Sequence, residues 1–333
     1  MNRIAFNGDA MRQLSAQFLA LAAKQKATVP LMNGHRVVGI SLLLTGDISE
    51  GRAHLDDAIA LYKPVEHGPV ATRFGTDVGI SILSYRSIAL WLLGYPEAAL
   101  ADTDRALIVA RGLGQAASLM FALHHASLAH IQIGDIAAAQ ANADELFLLA
   151  NDKDASLWRA FAILMRGCLL TLNGDNLDAI QTITQGIAAL RSTGAASFVP
   201  LYLPLLATAY SRLNRFDEAW RVIGEAMTAV ETTKERWCDA EVIRTAGKIA
   251  LMSPEPNLTK AKTYFEHALS VARQQQAKSW ELRAAMSLAR LWRDQGKVSE
   301  ARELLAPVYG WFTEGFDTRD LMEAKALLDE LTS

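Results

Sequence analysis

Residues 87–111 read SIALWLLGYPEAALADTDRALIVAR, and this stretch decides the fold. An apolar helical run ends at Gly94, Tyr95 and Pro96 follow, and a second helical run begins at once. Leu100, Ala106, Leu107 and Ala110 recur at helical spacing, with none of the two-residue alternation of a strand. Small residues stand at set distances from the turn: Ser87 seven before it, Ala99 five after it and Ala106 twelve after it. Glycine readily takes the left-handed conformation that ends a helix, and small residues let two helices approach closely. The stretch therefore reads as a tight helical hairpin.

The hairpin recurs along the chain. Its turn residues are Gly46, Gly94, Gly134, Gly174, Asn214 and Gly296, and the four from Gly94 to Asn214 are spaced by 40. Five positions after the turn stand Gly51, Ala99, Ala139, Ala179, Ala219 and Ala301, and Ala261 fills the same place in an irregular unit that turns at Ser253–Asn257. Twelve after stand Ala58, Ala106, Gly186, Ala226 and Ala268, with Leu146 and Val308 as exceptions. Seven before stand Gly39, Ser87, Ser127, Gly167, Ala207 and Ala289. A helical glycine costs ~1 kcal/mol relative to alanine. Gly39, Gly167 and Gly186 thus mark places where a neighbouring helix leaves no room for a side chain.

Small residues at these three places resemble tetratricopeptide repeats, over nearly the whole chain and with a unit longer than the usual ~34 residues. The resemblance implies an all-α, right-handed α-solenoid of about seven helix–turn–helix repeats, forming one domain over residues 1–333. First helices are expected at 31–45, 76–93, 115–133, 155–173, 196–213, 236–251 and 277–294. Second helices follow at 48–63, 96–112, 136–151, 177–193, 217–232, 257–275 and 298–312. The seven hairpins span residues 31–313, between an unpaired N-terminal helix within 1–30 and a polar capping helix within 314–333. The unpaired helix, at residues 8–25, is either a cap or the remainder of an array that continues upstream.

Hydrophobic residues make up 51% of the 333, enough to require a search for membrane spans. The most apolar runs, such as Val199–Ala209 and Ile88–Leu93, fall well short of the ~20 residues a spanning helix needs. The opening MNRIAFNGDA has no apolar signal-peptide core. A net charge of −3 offers no broad basic field for nucleic acid. Cys168 and Cys238 are isolated, without the paired spacing of a disulfide framework or a zinc site. The expectation is a cytoplasmic chain with no membrane, nucleic-acid, metal or other cofactor partner.

A narrower resemblance lies in the last third. SWELRAAMSLARLWRDQGKVSEARELLAPVYGWFTEGFDTRDLMEAKALLDEL (residues 279–331) follows ERWCDAEVIRTAGKIALMS and AKTYFEHALSVARQQQAKS. Together they resemble the C-terminal tetratricopeptide region of bacterial signalling proteins that carry a class III adenylate/guanylate cyclase domain and then a predicted ATPase domain. HRVVGISLLLTGDISEGRAHLDDAIALY and FGTDVGISILSYRSIALWLLGYPEAAL resemble earlier parts of the same array. In that family the chemistry lies in the cyclase and ATPase domains, and neither is within these 333 residues. The Gly247–Lys248 and Gly296–Lys297 pairs lack the other residues of a phosphate-binding loop.

No catalytic motif stands out: there is no G-x-S-x-G and no H-E-x-x-H. His124, His125 and His130 are not spaced four apart, so they read as core or polar histidines. Cys168, beside Gly167 in an apolar helix, reads as a buried thiol. The chain is therefore expected to be no enzyme.

In such superhelices the first helices line the concave face. Positions three before and one, four and five after the small first-helix residue should face it. By that rule and its one-turn extension the groove carries Arg36, Ser84, Trp91, His124 and Phe161, then Arg283, Arg290 and Arg293 near the end. It grades from apolar to basic, and the basic end suits an acidic peptide, a carboxylate terminus or a partner domain. The competing reading packs the apolar stretch against neighbouring helices and leaves the arginines in solvent. The insertion at residues 64–75 would bring His67, Arg73 and nearby Asp77 over the groove entrance. The expected function is a protein–protein interaction or regulatory scaffold that binds a protein or peptide in this groove. The alternative is a small-molecule effector sensor.

Overall fold

Six of the hairpins turn on a residue in the left-handed region: Gly46, Gly94, Gly134, Gly174 and Gly296 have φ between 76° and 101°, and Asn214 has φ of 59°. These are the turn residues of the repeat pattern. The computed structural model describes residues 6–25, 27–63 and 75–332, so His67 and Arg73 lie outside the described residues.

Sixteen α-helices and no strand are present among the described residues. The unpaired α1 (Gly8–Gln25) precedes seven hairpins. These are α2 (Thr28–Thr45) with α3 (Ile48–Leu61), α4 (Val78–Leu92) with α5 (Pro96–Leu113), and α6 (Ala116–Ile133) with α7 (Ile136–Asp152). Next come α8 (Ser156–Asn173) with α9 (Asn176–Ser192), α10 (Val199–Arg212) with α11 (Phe216–Thr233), and α12 (Asp239–Met252) with α13 (Leu258–Gln274). The last hairpin is α14 (Lys278–Asp294) with α15 (Val298–Tyr309), and α16 (Arg319–Glu330) ends the array. No helix among the described residues is long and apolar enough to cross a membrane.

Close approach explains the small residues. A Cβ on Gly39 would lie 2.8 Å from the Gly51 carbonyl oxygen, one on Gly167 2.5 Å from Ile183, and one on Gly186 2.7 Å from Leu164. Where serine fills the first-helix slot, its hydroxyl uses the contact: Ser87 donates to the Ala99 carbonyl and Ser127 to the Ala139 carbonyl. In the irregular unit Gly247 takes this role, with its Cβ position 2.5 Å from the Phe265 ring.

Several helix ends differ from expectation. α10 begins three residues late because Phe198 is left-handed, with φ of 67°, and Pro200 occupies the first turn. α15 stops at Tyr309, two residues after Pro307, which removes a backbone donor from the last turn.

The array also closes on itself. The Leu44 carbonyl, at the end of α2, accepts from the N–H groups of Arg236 and Trp237 just before α12. The Trp91 carbonyl, at the end of α4, accepts from the Ser279 hydroxyl of α14. Gly134, after α6, packs against Arg319 at the start of α16. Every such contact joins elements five hairpins apart, so five units complete one superhelical turn. Glu314 and Glu97 reinforce this seam by accepting from the Ala98 and Gly315 N–H groups respectively. The concave face is thereby wrapped into an enclosed lumen.

Candidate functional site

The first helices line the lumen, and its two ends differ. At one end, lined by the N-terminal halves of α6 and α8, aromatic side chains fill the space. His125 stacks on Phe121 at 4.3 Å between ring centres and meets Tyr85 edge-on at 5.0 Å. His124 lies 4.3 Å from Phe161, and Phe198 meets Trp237 at 5.6 Å. Both nitrogens of His124, Nε2 of His125 and the Tyr202 hydroxyl have no hydrogen-bond partner among the described residues. Burial holds both histidines neutral, lowering His124 well below its ordinary value and His125 to about 4. The buried carboxyl of Glu235 accepts from the Phe198 N–H and the Trp237 indole N–H, and burial still raises it to about 7.

At the other end, between the C-terminal halves of α6, α8 and α10 and the faces of α12, α14 and α16, a cavity of about 290 Å³ remains. Six cationic side chains (Arg212, Arg244, Lys248, Arg283, Arg290 and Arg319) line it against three carboxylates, Glu241, Asp320 and Glu323. Each carboxylate is taken. Glu241 receives both arms of Arg244 at 2.6 and 2.7 Å, Asp320 pairs with Arg283 at 2.6 Å, and Glu323 pairs with Arg290 at 2.9 Å. Arg212 donates only to the Thr171 carbonyl. Lys248 faces the cavity with neither a hydrogen bond nor an ion pair among the described residues, and its ammonium is pushed down to about 8, first by Arg244 beside it and then by burial. The cavity thus carries a surplus of three positive charges in a chain of net charge −3.

The described residues expected from sequence fall in five places. Ser84 (2% exposed), Trp91 (5%), His124 (1%) and Phe161 (6%) are enclosed. Arg36 is half-buried, donates to Asn33 and Ser81, and is lowered by burial. Arg283 and Arg290 line the cavity, and Arg283 also binds the side-chain and backbone oxygens of Gln132 and sits 5.2 Å over the Trp91 ring. Arg293 lies on the outside with Asp294 and Glu330. Asp77 is buried and caps α4: its Oδ1 accepts from the Ile80 N–H, and both oxygens accept from the Tyr62 hydroxyl. It does not reach over an entrance.

Arg212, Arg244, Lys248 and Arg319 were not expected. The offset rule applied to Ala207 yields Pro204, Thr208 and Arg212, all on the cavity wall. Applied to Gly247 it yields Arg244 and Lys248. The irregular turn of that unit hid Gly247 from a count made backwards from the turn.

A tetratricopeptide repeat family model matches residues 282–307, from α14 across its turn into α15. The fold is a tetratricopeptide-type solenoid. No curated protein sequence matches the chain. Among solved structures it is similar to aspartyl phosphate phosphatase F from Bacillus subtilis, with 10% identity, TM-score 0.54, and 91% of this chain and 75% of that one covered. A Rap protein complexed with competence and sporulation factor aligns with 10% identity, TM-score 0.53 and 98% and 97% coverage. The apo form of RapI aligns with 10% identity, TM-score 0.51 and 97% and 99% coverage. At this identity the likeness is one of fold.

Burial pushes the Cys168 thiol up to about 12 and Cys238 well above its ordinary value, which removes the thiolate needed of a nucleophile. The cavity's cations outnumber its carboxylates, a charge balance that suits an anion.

Proposed function

We propose that the protein is a non-enzymatic interaction module that holds the carboxylate end or an acidic side chain of a peptide in the cationic end of its lumen. The observation that carries this reading is Lys248, a half-enclosed ammonium with no ion-pair partner among the described residues, whose repulsion from Arg244 outweighs the attraction of Glu241. An anion there would relieve repulsion that the free protein retains. A cavity of about 290 Å³ is at the small end of ligand pockets, which suits a chain end better than a folded domain. The structurally similar Rap protein complexed with competence and sporulation factor is a precedent for this fold in complex with a factor. The resemblance of residues 279–331 to cyclase–ATPase signalling proteins suits a cytoplasmic regulatory arm that docks a partner. The same cavity also suits the second reading, a small carboxylate effector, because of its volume.

The test is fluorescence anisotropy with short peptides that differ only in charge and in a free or amidated C-terminus. Acidic, free-carboxylate peptides should bind best, and Lys248→Gln and Arg212→Gln should each weaken them at least ~10-fold, the scale of one charge-assisted hydrogen bond. Equal binding of acidic and basic peptides would end this reading. A thermal shift with small dicarboxylates but none with peptides would favour the effector reading.

A further inference from the structure

We propose that His35, His54 and Asp57 form a binding site for a divalent transition metal, with zinc the ion that best suits the donors. His35 lies on α2, and His54 and Asp57 lie one turn apart on α3. The hairpin brings their donor atoms together. His35 Nδ1 is 3.0 Å from His54 Nδ1 and 3.3 Å from Asp57 Oδ2, and one donor atom from each of the three residues lies within 4.8 Å of the others.

These spacings are those of a coordination shell. Zinc bonds imidazole nitrogen and carboxylate oxygen at roughly 2.0–2.2 Å, and the edge of a tetrahedron with such bonds is roughly 3.3 Å. Two of the three pairs are already at that edge length, so an ion can enter with side-chain adjustment alone. Two imidazoles and one carboxylate, with a fourth position left for water, is a set that zinc accepts. Calcium and magnesium call for all-oxygen shells.

The surroundings favour a metal over a salt bridge. Asp57 is 63% exposed at its side chain and free to swing, while the nearby Arg52 and Arg86 pair with Asp56 instead. Without a metal, the facing Nδ1 atoms require one ring to donate and the other to accept. His54 also borders the hollow of about 430 Å³ that α1 covers, so an ion here would clip together the hairpin on which α1 rests.

The experiment is titration of tag-free full-length protein with Co²⁺, followed by its visible absorption and then by displacement with Zn²⁺. The expected result is saturation at one equivalent, with the strong bands of four-coordinate cobalt that zinc abolishes, and a higher Tm with zinc. His54→Asn should lose this binding by more than the ~10–100-fold that removal of an outer-shell partner costs. The exposed His267→Asn should change nothing. Asp57→Asn is the second variant, since an exposed carboxylate can be replaced without harm to folding, and it should weaken cobalt binding and alter the spectrum. Weak, unsaturable six-coordinate bands, or undiminished binding in both Asp57→Asn and His54→Asn, would overturn the proposal.

Discussion

The two ends of the lumen are built from opposite halves of the same repeated helices, yet one is core and the other is a cavity. At the aromatic end, Phe161, Phe198 and Trp237 fill the space around neutral histidines. At the cationic end, long charged side chains keep their distance from one another and leave about 290 Å³. The difference teaches that the solenoid dictates which residues face inward, but not whether inward means buried. Aromatic rings close a narrow lumen by burying apolar area. Like charges cannot be packed together without a counter-ion.

Four measurements sharpen or break that contrast. The largest effect should come from Phe161→Ala, expected to cost ~3–5 kcal/mol in urea unfolding as a large buried ring is lost. A loss below ~1 kcal/mol would show that the aromatic end is as loosely filled as the cationic one. Next is Arg283→Ala, which weakens the seam by leaving Asp320 with only the 3.9 Å pairing to Arg319 and the Gln132 carbonyl without its donor. Removal of one partner of such a pair costs ~3 kcal/mol, and α14 and α16 should lose hydrogen-exchange protection together.

The third measurement is pH dependence at the aromatic end. His124 and His125 stay neutral when folded, whereas unfolded imidazole titrates at ~6.5. Their contribution is present above that pH and is lost as pH falls from 6.5 toward the folded value, about 4 for His125. Glu235 acts in the opposite sense. Its folded value, about 7, exceeds the unfolded ~4.3, so its contribution declines as pH rises through that interval. Two histidines outweigh one carboxyl, so Tm should fall from pH 6.5 to 5. Glu235→Gln removes the opposing group and should steepen the fall by ~1 kcal/mol per pH unit. An unchanged slope would mean that the carboxyl is ionised throughout.

The smallest effect on stability should come from Lys248→Gln, within ~0.5 kcal/mol of the parent or slightly stabilising, since a repelled cation is removed. Its effect belongs to binding: affinity for an acidic peptide should also fall as pH rises through about 8 in the parent protein and be flat there in the variant. A large loss of stability instead would make Lys248 part of the core.

Much of the fold was legible because its determinants are local and repeat. Turn residues at Gly94, Gly134, Gly174 and Asn214 took the left-handed conformation, and Gly39 and Gly167 proved to be points of contact with the paired helix. The basic character of the C-terminal groove was also legible, through Arg283 and Arg290. Lys248 and Arg244 escaped because the count ran from a turn that is longer in their unit. His35 and His54 escaped because a separation of 19 residues has meaning only once the hairpin is closed.

The sequence by itself determined that the chain is helical throughout and where the regular hairpins turn, since these depend on neighbours within one repeat. Only the tertiary structure decided that the array closes after five hairpins, because contacts such as Ser279 to Trp91 join residues 188 positions apart and leave no periodic trace. That closure turns an open groove into a lumen with one end filled by aromatic rings and one charged cavity.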